Sequence, residues 1–305
     1  MYRREHLKTG VKHPNLALRE LNRQYYRMAT TAEYNTNGTD IMAEEWDILV
    51  ILDACRYDMF SSVNEIDGRL ESRVSRGSNT SEFLRGNFTN ATHLDTVYTT
   101  ANPQLQKHIK SIGVEFHELL NVWNTDRWDA KRGTVVPPEM TAACLESLET
   151  YPHKRHVFHY LQPHYPFVDT SLEQAGRGII EEFGTDIWGL KMRGELDYPR
   201  ERIVAAYTDN LRQALDSIEA LLDSVSGRVV VTSDHGNMVG DRSRPIPITE
   251  WGHPSGTYTP QLVEVPWLVV EAGERPTIEA DQSDYDRQAV EDAVMTDRLK
   301  DLGYV

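Results

Sequence analysis

The sequence predicts an α/β fold: a doubly wound, mostly parallel sheet with helices on both faces, preceded by an N-terminal helical arm. Three observations predict it. Short apolar, β-branched runs recur along the chain. Stretches with helical periodicity separate them. The first run, WDILVILDA (46–54), is apolar without alternation, as in a parallel strand buried on both faces.

Taken in order, residues 1–44 read as the arm and 45–305 as the main domain. Within the arm, Leu16, Leu18, Leu21, Tyr25 and Met28 fall near one face of a helix over 15–28. TTAEYNTNGTD (30–40) is polar and turn-rich, a loop. After the first strand come strands at 95–100, 155–161, 227–233 and 266–271. The clearest helix spans 202–225, where Ile203, Ala206, Tyr207, Leu211, Ala214, Leu215, Ile218, Leu221 and Leu222 keep a 3.6-residue period. Residues 286–303 read as a surface helix ended by Gly303.

Composition excludes several classes. With 305 residues and 39% hydrophobic content, the chain can bury a sizeable core, which argues against disorder as the main state. The longest apolar run, Ile48 to Leu52, is far shorter than the ~20 residues of a spanning helix. The first residues, MYRREHLKTGVKHPN, contain no apolar signal region. The expectation is a soluble, cytoplasmic protein. Acidic residues number 47 against 32 basic ones, a net charge of −15, so the basic surface of a nucleic-acid binder is missing. The basic arm (Arg3, Arg4, Lys8, Lys12) is too short to supply one. Only eight of the 32 basic residues are lysine, and an acidic, Arg-rich, Lys-poor chain reads as adapted to high salt. Cys55 and Cys144 form neither a zinc spacing nor a disulfide framework.

In open parallel sheets, ligands bind beyond the carboxyl ends of the strands. The first strand is followed by Asp53, Cys55, Arg56 and Asp58. The strand at 155–161 leads to Gln162, Pro163 and His164, and the strand at 227–233 leads to Asp234, His235 and Gly236. Carboxylates and imidazoles therefore converge on one edge. Asp234 and His235 offer a hard oxygen and an imidazole nitrogen to one divalent cation, as Zn²⁺ or Mn²⁺ accepts. Gly236 permits a tight turn after them.

These segments resemble the alkaline phosphatase superfamily, in its sulfatase-like branch. LVILDACRYD is similar to the first strand and its metal-binding Asp. RGSNTSEFL is similar to the nucleophile loop, especially that of the lipoteichoic acid synthase group. FHYLQPHYPF, GRVVVTSDHGN, WGHP, VEVPWLVV and the ending RLKDLGYV follow in the order the family has them, over about 46–305. The resemblance implies an alkaline phosphatase-like catalytic domain at 45–305. It implies a divalent metal held by Asp53, Thr80, Asp234 and His235, with Thr80 as nucleophile. It implies that His164 and His253 stabilise the ester or protonate the leaving group. Arg56 would contact the anionic ester through its guanidinium fork.

The sequence departs from the sulfatases in having no C/S-x-P-S-R motif, so a hydroxyl nucleophile replaces formylglycine. It has Asp53-Ala54 and Asp234-His235 where sulfatases carry paired Asp and Asp-Asn. That shifts the expected cation from Ca²⁺ toward Mn²⁺, Zn²⁺ or Mg²⁺, and one metal is expected first. His159, His164 and His253 would supply imidazoles to a second.

Plainer roles compete at each position. Asp53 would cap a helix. Thr80 competes with Ser78 and Ser81 in a Ser/Thr-rich loop, where Thr80 or Ser81 would cap the helix that follows. His164 would be a turn residue, and Arg56 would pair with Asp58. One of His156 and His159 would be a buried structural histidine. Cys55 would be a small hydrophobe, and Trp123 and Trp128 would be packing residues. The expected function is hydrolysis of sulfate or phosphate esters of small molecules or glycans. The rivals are a phospho-alcohol transferase acting on glycan or lipid acceptors, and a non-catalytic binding protein. Loops at 101–140 and 168–200 would set the natural ester.

Overall fold

The central strand forms where the sequence is most apolar. All six residues of β1 (Ile48–Asp53) are buried. In register, Ile48 lies opposite His156 and Val229, and Leu52 opposite Tyr160 and Ser233. Burying each aliphatic side chain of this strand contributes roughly 1.5–3 kcal/mol. The computed structural model describes residues 12–28, 32–168, 172, 186–281 and 292–304. Arg3, Arg4 and Lys8, and the start of the helix predicted at 286–303, lie outside them.

Seven strands build the main sheet: β1, β2 (Arg69–Val74), β3 (Thr92–Thr100), β4 (Glu115–Asn121), β5 (Arg155–Pro163), β6 (Arg228–Ser233) and β9 (Glu264–Glu271). Their spatial order is β2-β9-β6-β1-β5-β3-β4. β1 pairs in parallel with β5 and β6, and β3 with β4 and β5. β9 alone runs against its neighbours. The doubly wound, mostly parallel expectation therefore holds. β2 (RLESRV) and β4 (EFHELLN) were not expected as strands. Both are polar edge strands, without the apolar run that marks the centre. A separate hairpin, β7 (Met238–Arg242) with β8 (Thr249–Gly252), was not expected either.

Helices cover both faces. Ile48, Val50 and Leu52 pack on one side with α2 (Tyr57–Val63), α5 (Pro137–Thr150) and α7 (Arg200–Leu222). Leu49 and Ile51 pack on the other with Phe83, Leu84 and Phe88 of α3 (Thr80–Phe88) and Leu105 and Ile112 of α4 (Gln104–Ile112). α7 buries the face predicted for it. Trp123 and Trp128 are packing residues, and Cys55 and Cys144 are buried free thiols.

The arm helix, α1 (Pro14–Met28), forms as expected but docks differently. Leu21, Tyr25 and Met28 of the predicted apolar face are exposed. Leu16 and Leu18 of that face pack against the core, and polar contacts hold the rest of the helix. Arg19 bonds the Glu250 carboxylate and the carbonyl of Trp251, and Asn22 donates to the Ile246 carbonyl at 2.9 Å. The arm thus braces the β7–β8 hairpin, which delivers His253. No described helix is long and apolar enough to cross a membrane.

Candidate metal centre and active site

Three strand ends meet at one edge. β1 ends on Asp53, β6 precedes Asp234 and His235, and β5 carries His159 and runs on to His164. The turn after β1 is unusual: Ala54 has φ of 62°, a left-handed conformation that costs a residue with a Cβ about 1–2 kcal/mol. The turn places its N–H 3.0 Å from Asp234 Oδ1, which also accepts the N–H of His235 at 2.8 Å. The Tyr207 hydroxyl holds the Ala54 carbonyl. Gly236 is needed for space, because a Cβ there would lie 2.1 Å from the carbonyl oxygen of Gln261.

The remaining lone pairs converge without partners. Asp53 Oδ1, Asp234 Oδ2 and His159 Nε2 are buried and make no hydrogen bond. Ligand atoms of Asp53, His159 and Asp234 all lie within 4.8 Å of one another. His235 Nδ1 lies 2.7 Å from the carbonyl of Gly236, which fixes its proton there and leaves Nε2 as an acceptor. That nitrogen lies 3.4 Å from Asp234 Oδ2 and 3.6 Å from Asp53 Oδ1. These are not ion pairs. Burial pushes the imidazoles of His235 and His159 down to about 4, so both are neutral. Burial, and after it the charge of Asp234, pushes the Asp53 carboxyl well up. Asp234 is also raised by burial. The carboxylate oxygens Asp53 Oδ1 and Asp234 Oδ2, buried without partners beside His235 Nε2, are costly until a cation or protons satisfy them. Two carboxylates and the imidazoles beside them are a donor set that fits a divalent cation.

Thr80 stands at this cluster. Its Oγ1 lies 3.3 Å from His235 Nε2, and the residue is buried. The helix that follows is capped by Asn79, whose Oδ1 accepts the N–H of Glu82 at 3.1 Å. Neither Thr80 nor Ser81 does the capping. The Ser78 hydroxyl bonds Glu82 Oε2 at 2.8 Å and the Pro254 carbonyl at 3.1 Å, and Ser81 bonds His108 at 3.0 Å. Of the three hydroxyls, the one facing the cluster is that of Thr80.

His164 and His253 are brought together, with Nε2 atoms 3.0 Å apart. The His253 ring lies 4.7 Å from that of His235, which puts the pair beside the cluster. His164 Nδ1 lies 2.5 Å from the Tyr165 carbonyl, so its Nε2 accepts and the shared proton belongs to His253. Burial holds His164 down at about 3 and His253 well below its ordinary value. Asn210 of α7 fixes the segment after β5 by donating to the carbonyls of Pro163, His164 and Pro166 at 3.1–3.3 Å.

Arg56 takes the plainer of its two roles. Its guanidinium binds Asp58 at 2.6 and 2.8 Å and Asp241 at 2.7 Å, and it donates to the Asn237 carbonyl. It ties the loop after β1 to Asp241 and to the Asn237 carbonyl. The structural histidine is His156, bonded to Ser147 and Tyr151. His159, which the sequence offered as a structural histidine or as a ligand to a second metal, has its Nε2 among the unpartnered buried atoms. Its Nδ1 is 2.9 Å from the Tyr98 hydroxyl.

Sequence reasoning missed Asn102 and Tyr304. Both bond Asp53 Oδ2, at 2.6 and 2.9 Å. Asn102 lies just past β3, where the strand-end rule points. Tyr304 falls in the RLKDLGYV ending, with no signal of its own.

No family model matches the chain, and no curated protein matches it. Solved structures do. The zinc-bound periplasmic domain of EcEptC from Escherichia coli is 14% identical, with 76% of this chain and 75% of that one covered and a TM-score of 0.44. A protein in the alkaline phosphatase superfamily from Vibrio parahaemolyticus is 12% identical, covering 87% and 71%, with a TM-score of 0.45. Phosphonate monoester hydrolase from Silicibacter pomeroyi is 12% identical, covering 85% and 73%, with a TM-score of 0.46.

Proposed function

We propose that this chain is a metal-dependent hydrolase of phosphate or sulfate esters of the alkaline phosphatase type, with Thr80 as its nucleophile. One observation carries the reading: unpartnered buried atoms of Asp53, Asp234 and His159 converge beside His235 Nε2, which the Thr80 hydroxyl faces at 3.3 Å.

Asp53, His159, Asp234 and His235 would hold the cation. When bound, it lowers the pKa of a nearby hydroxyl and offsets the charge that develops on the ester oxygens. Thr80 Oγ1 loses its proton to solvent and attacks phosphorus or sulfur in line. The new bond from Oγ1 forms as the bond to the leaving alcohol breaks. His164 and His253, both neutral, help to stabilise the ester oxygens, His253 through its N–H, and the departing alkoxide takes its proton from solvent. Water then attacks the ester on Thr80 as the bond to Oγ1 breaks, the water loses its proton to solvent, and Oγ1 regains one. Phosphate or sulfate leaves and the Thr80 hydroxyl is restored. Arg56 supports the loops and touches no reacting atom.

A net charge of −15 with few lysines supports a high-salt environment for this activity. The test is a hydrolysis panel of aryl phosphate, aryl phosphodiester and aryl sulfate with Mn²⁺, Zn²⁺, Mg²⁺ or Ca²⁺. The expected result is turnover of at least one ester that chelator abolishes. Metal binding with no turnover of any ester would favour a binding protein of the same fold.

A further inference from the structure

We propose that Tyr304 and Asn102 are positioning residues that commit Asp53 to the cation through a single oxygen and so bias the centre toward small cations over Ca²⁺. This rests on the reading of the cluster as a cation site. A carboxylate oxygen offers two lone pairs. On Asp53, Oδ2 accepts from Asn102 Nδ2 at 2.6 Å and from the Tyr304 hydroxyl at 2.9 Å. Both of its lone pairs are occupied. Oδ1 is buried and has no partner.

The two donors are themselves fixed. Asn102 Oδ1 accepts the N–H of Gln104 at 2.8 Å, so Nδ2 is the atom that faces Asp53. The Asn102 backbone is locked in turn, its N–H donating to Thr100 Oγ1 at 2.9 Å and its carbonyl accepting from that hydroxyl at 3.0 Å. Tyr304 arrives from outside the sheet. The helix α9 (Asp292–Asp301) ends at Gly303, whose φ is 77°. In the reversed turn, the Tyr304 N–H bonds the Leu299 carbonyl at 2.8 Å. The ring then stacks on His164, with centroids 5.4 Å apart and planes 17° apart. Gly303 has no room for a side chain, since its Cβ would lie 2.7 Å from that of Asp186.

Outer hydrogen bonds of this kind set which ligand atom a metal sees. One oxygen per carboxylate suits the low coordination number of zinc. A carboxylate free to turn offers both oxygens, which suits calcium, with its 6–8 ligands.

The test uses the full chain, stripped of metal and titrated with Zn²⁺, Co²⁺ and Ca²⁺ against a chromophoric chelator. Tyr304→Phe keeps the stacked ring and removes the hydroxyl. We expect its Zn²⁺ affinity to fall about 10–100-fold, its preference over Ca²⁺ to narrow, and the visible absorption of bound Co²⁺ to weaken as coordination rises. Gly303→Ala, which keeps the hydroxyl and displaces the turn, should change affinity in the same direction. Wild-type affinity and Co²⁺ spectrum in Tyr304→Phe would overturn the proposal. So would faster ester turnover at unchanged metal affinity, which would make Tyr304 a plug over the site. Failure of the wild type to bind any of the three cations overturns the cluster reading itself, and this proposal with it.

Discussion

The hydroxyl of Thr80 faces Nε2 of His235 at 3.3 Å across a cluster of unpartnered acceptors. Two residues earlier, Ser78 spends its hydroxyl on Glu82 and the Pro254 carbonyl. The two side chains should therefore fail differently. Thr80→Ala should lose ester turnover by on the order of a thousandfold or more and keep its melting temperature. Ser78→Ala should retain turnover and lose about 1–3 kcal/mol of stability, because it strips one hydrogen bond from the buried Glu82 carboxyl. Urea unfolding beside initial rates checks both. The reverse pattern would make Ser78 the nucleophile.

Cation removal tests the cluster without any substrate. A cation that binds only the folded chain adds about 2.7 kcal/mol at a hundredfold excess over Kd. Zn²⁺ or Mn²⁺ should raise the thermal midpoint of the wild type, and chelator should reverse the rise. Asp53→Asn, Asp234→Asn and His159→Gln should each shrink the shift. An undiminished shift in His159→Gln would return that residue to a structural role.

His156 predicts a pH dependence away from the cluster. It is held by Ser147 at 3.2 Å and the Tyr151 carbonyl at 3.0 Å, and burial pushes it down to about 4 from an ordinary 6.5. Between those values the unfolded chain binds the proton and the folded chain does not. The contribution is fully present above the ordinary value and is lost as pH falls through the window. Its size is about 3 kcal/mol. Urea unfolding in chelator at about pH 7 and about pH 5 should show a smaller loss for His156→Gln than for the wild type. Equal losses would mean that His156 does not titrate in this range.

The charge balance predicts a salt response. With 47 acidic against 32 basic residues, self-repulsion opposes the compact state. Raising KCl from about 0.1 M to about 1 M shortens the screening length from about 10 Å to about 3 Å. Stability by chemical unfolding should rise over that range. A fall would end the high-salt reading.

What the sequence exposed follows from where burial is deepest. β1, β5 and β6 form the middle of the sheet and are apolar runs, so the fold class and the position of Asp53, Asp234 and His235 were legible. β2 and β4 are polar edges and were not. Within the candidate site, position after a strand end pointed to Asp53, Asp234 and His235, and it is silent where a residue departs from that rule. His159 sits inside β5, where its neighbours on the strand look like core. Arg56 follows β1 but turns to Asp58 and Asp241, a choice of direction that spacing does not encode. Tyr304 reaches Asp53 across 251 positions of sequence, through a turn at Gly303 that local pattern cannot aim.

The most direct measurement is a rapid acid quench of the metal-loaded chain during turnover of an aryl ester, followed by peptide mapping by mass spectrometry. The account predicts a peptide carrying one phosphoryl or sulfuryl group on Thr80, absent when chelator is present and absent in Thr80→Ala. An adduct on Ser78, or steady turnover with no adduct under conditions where release is slowed, would contradict it.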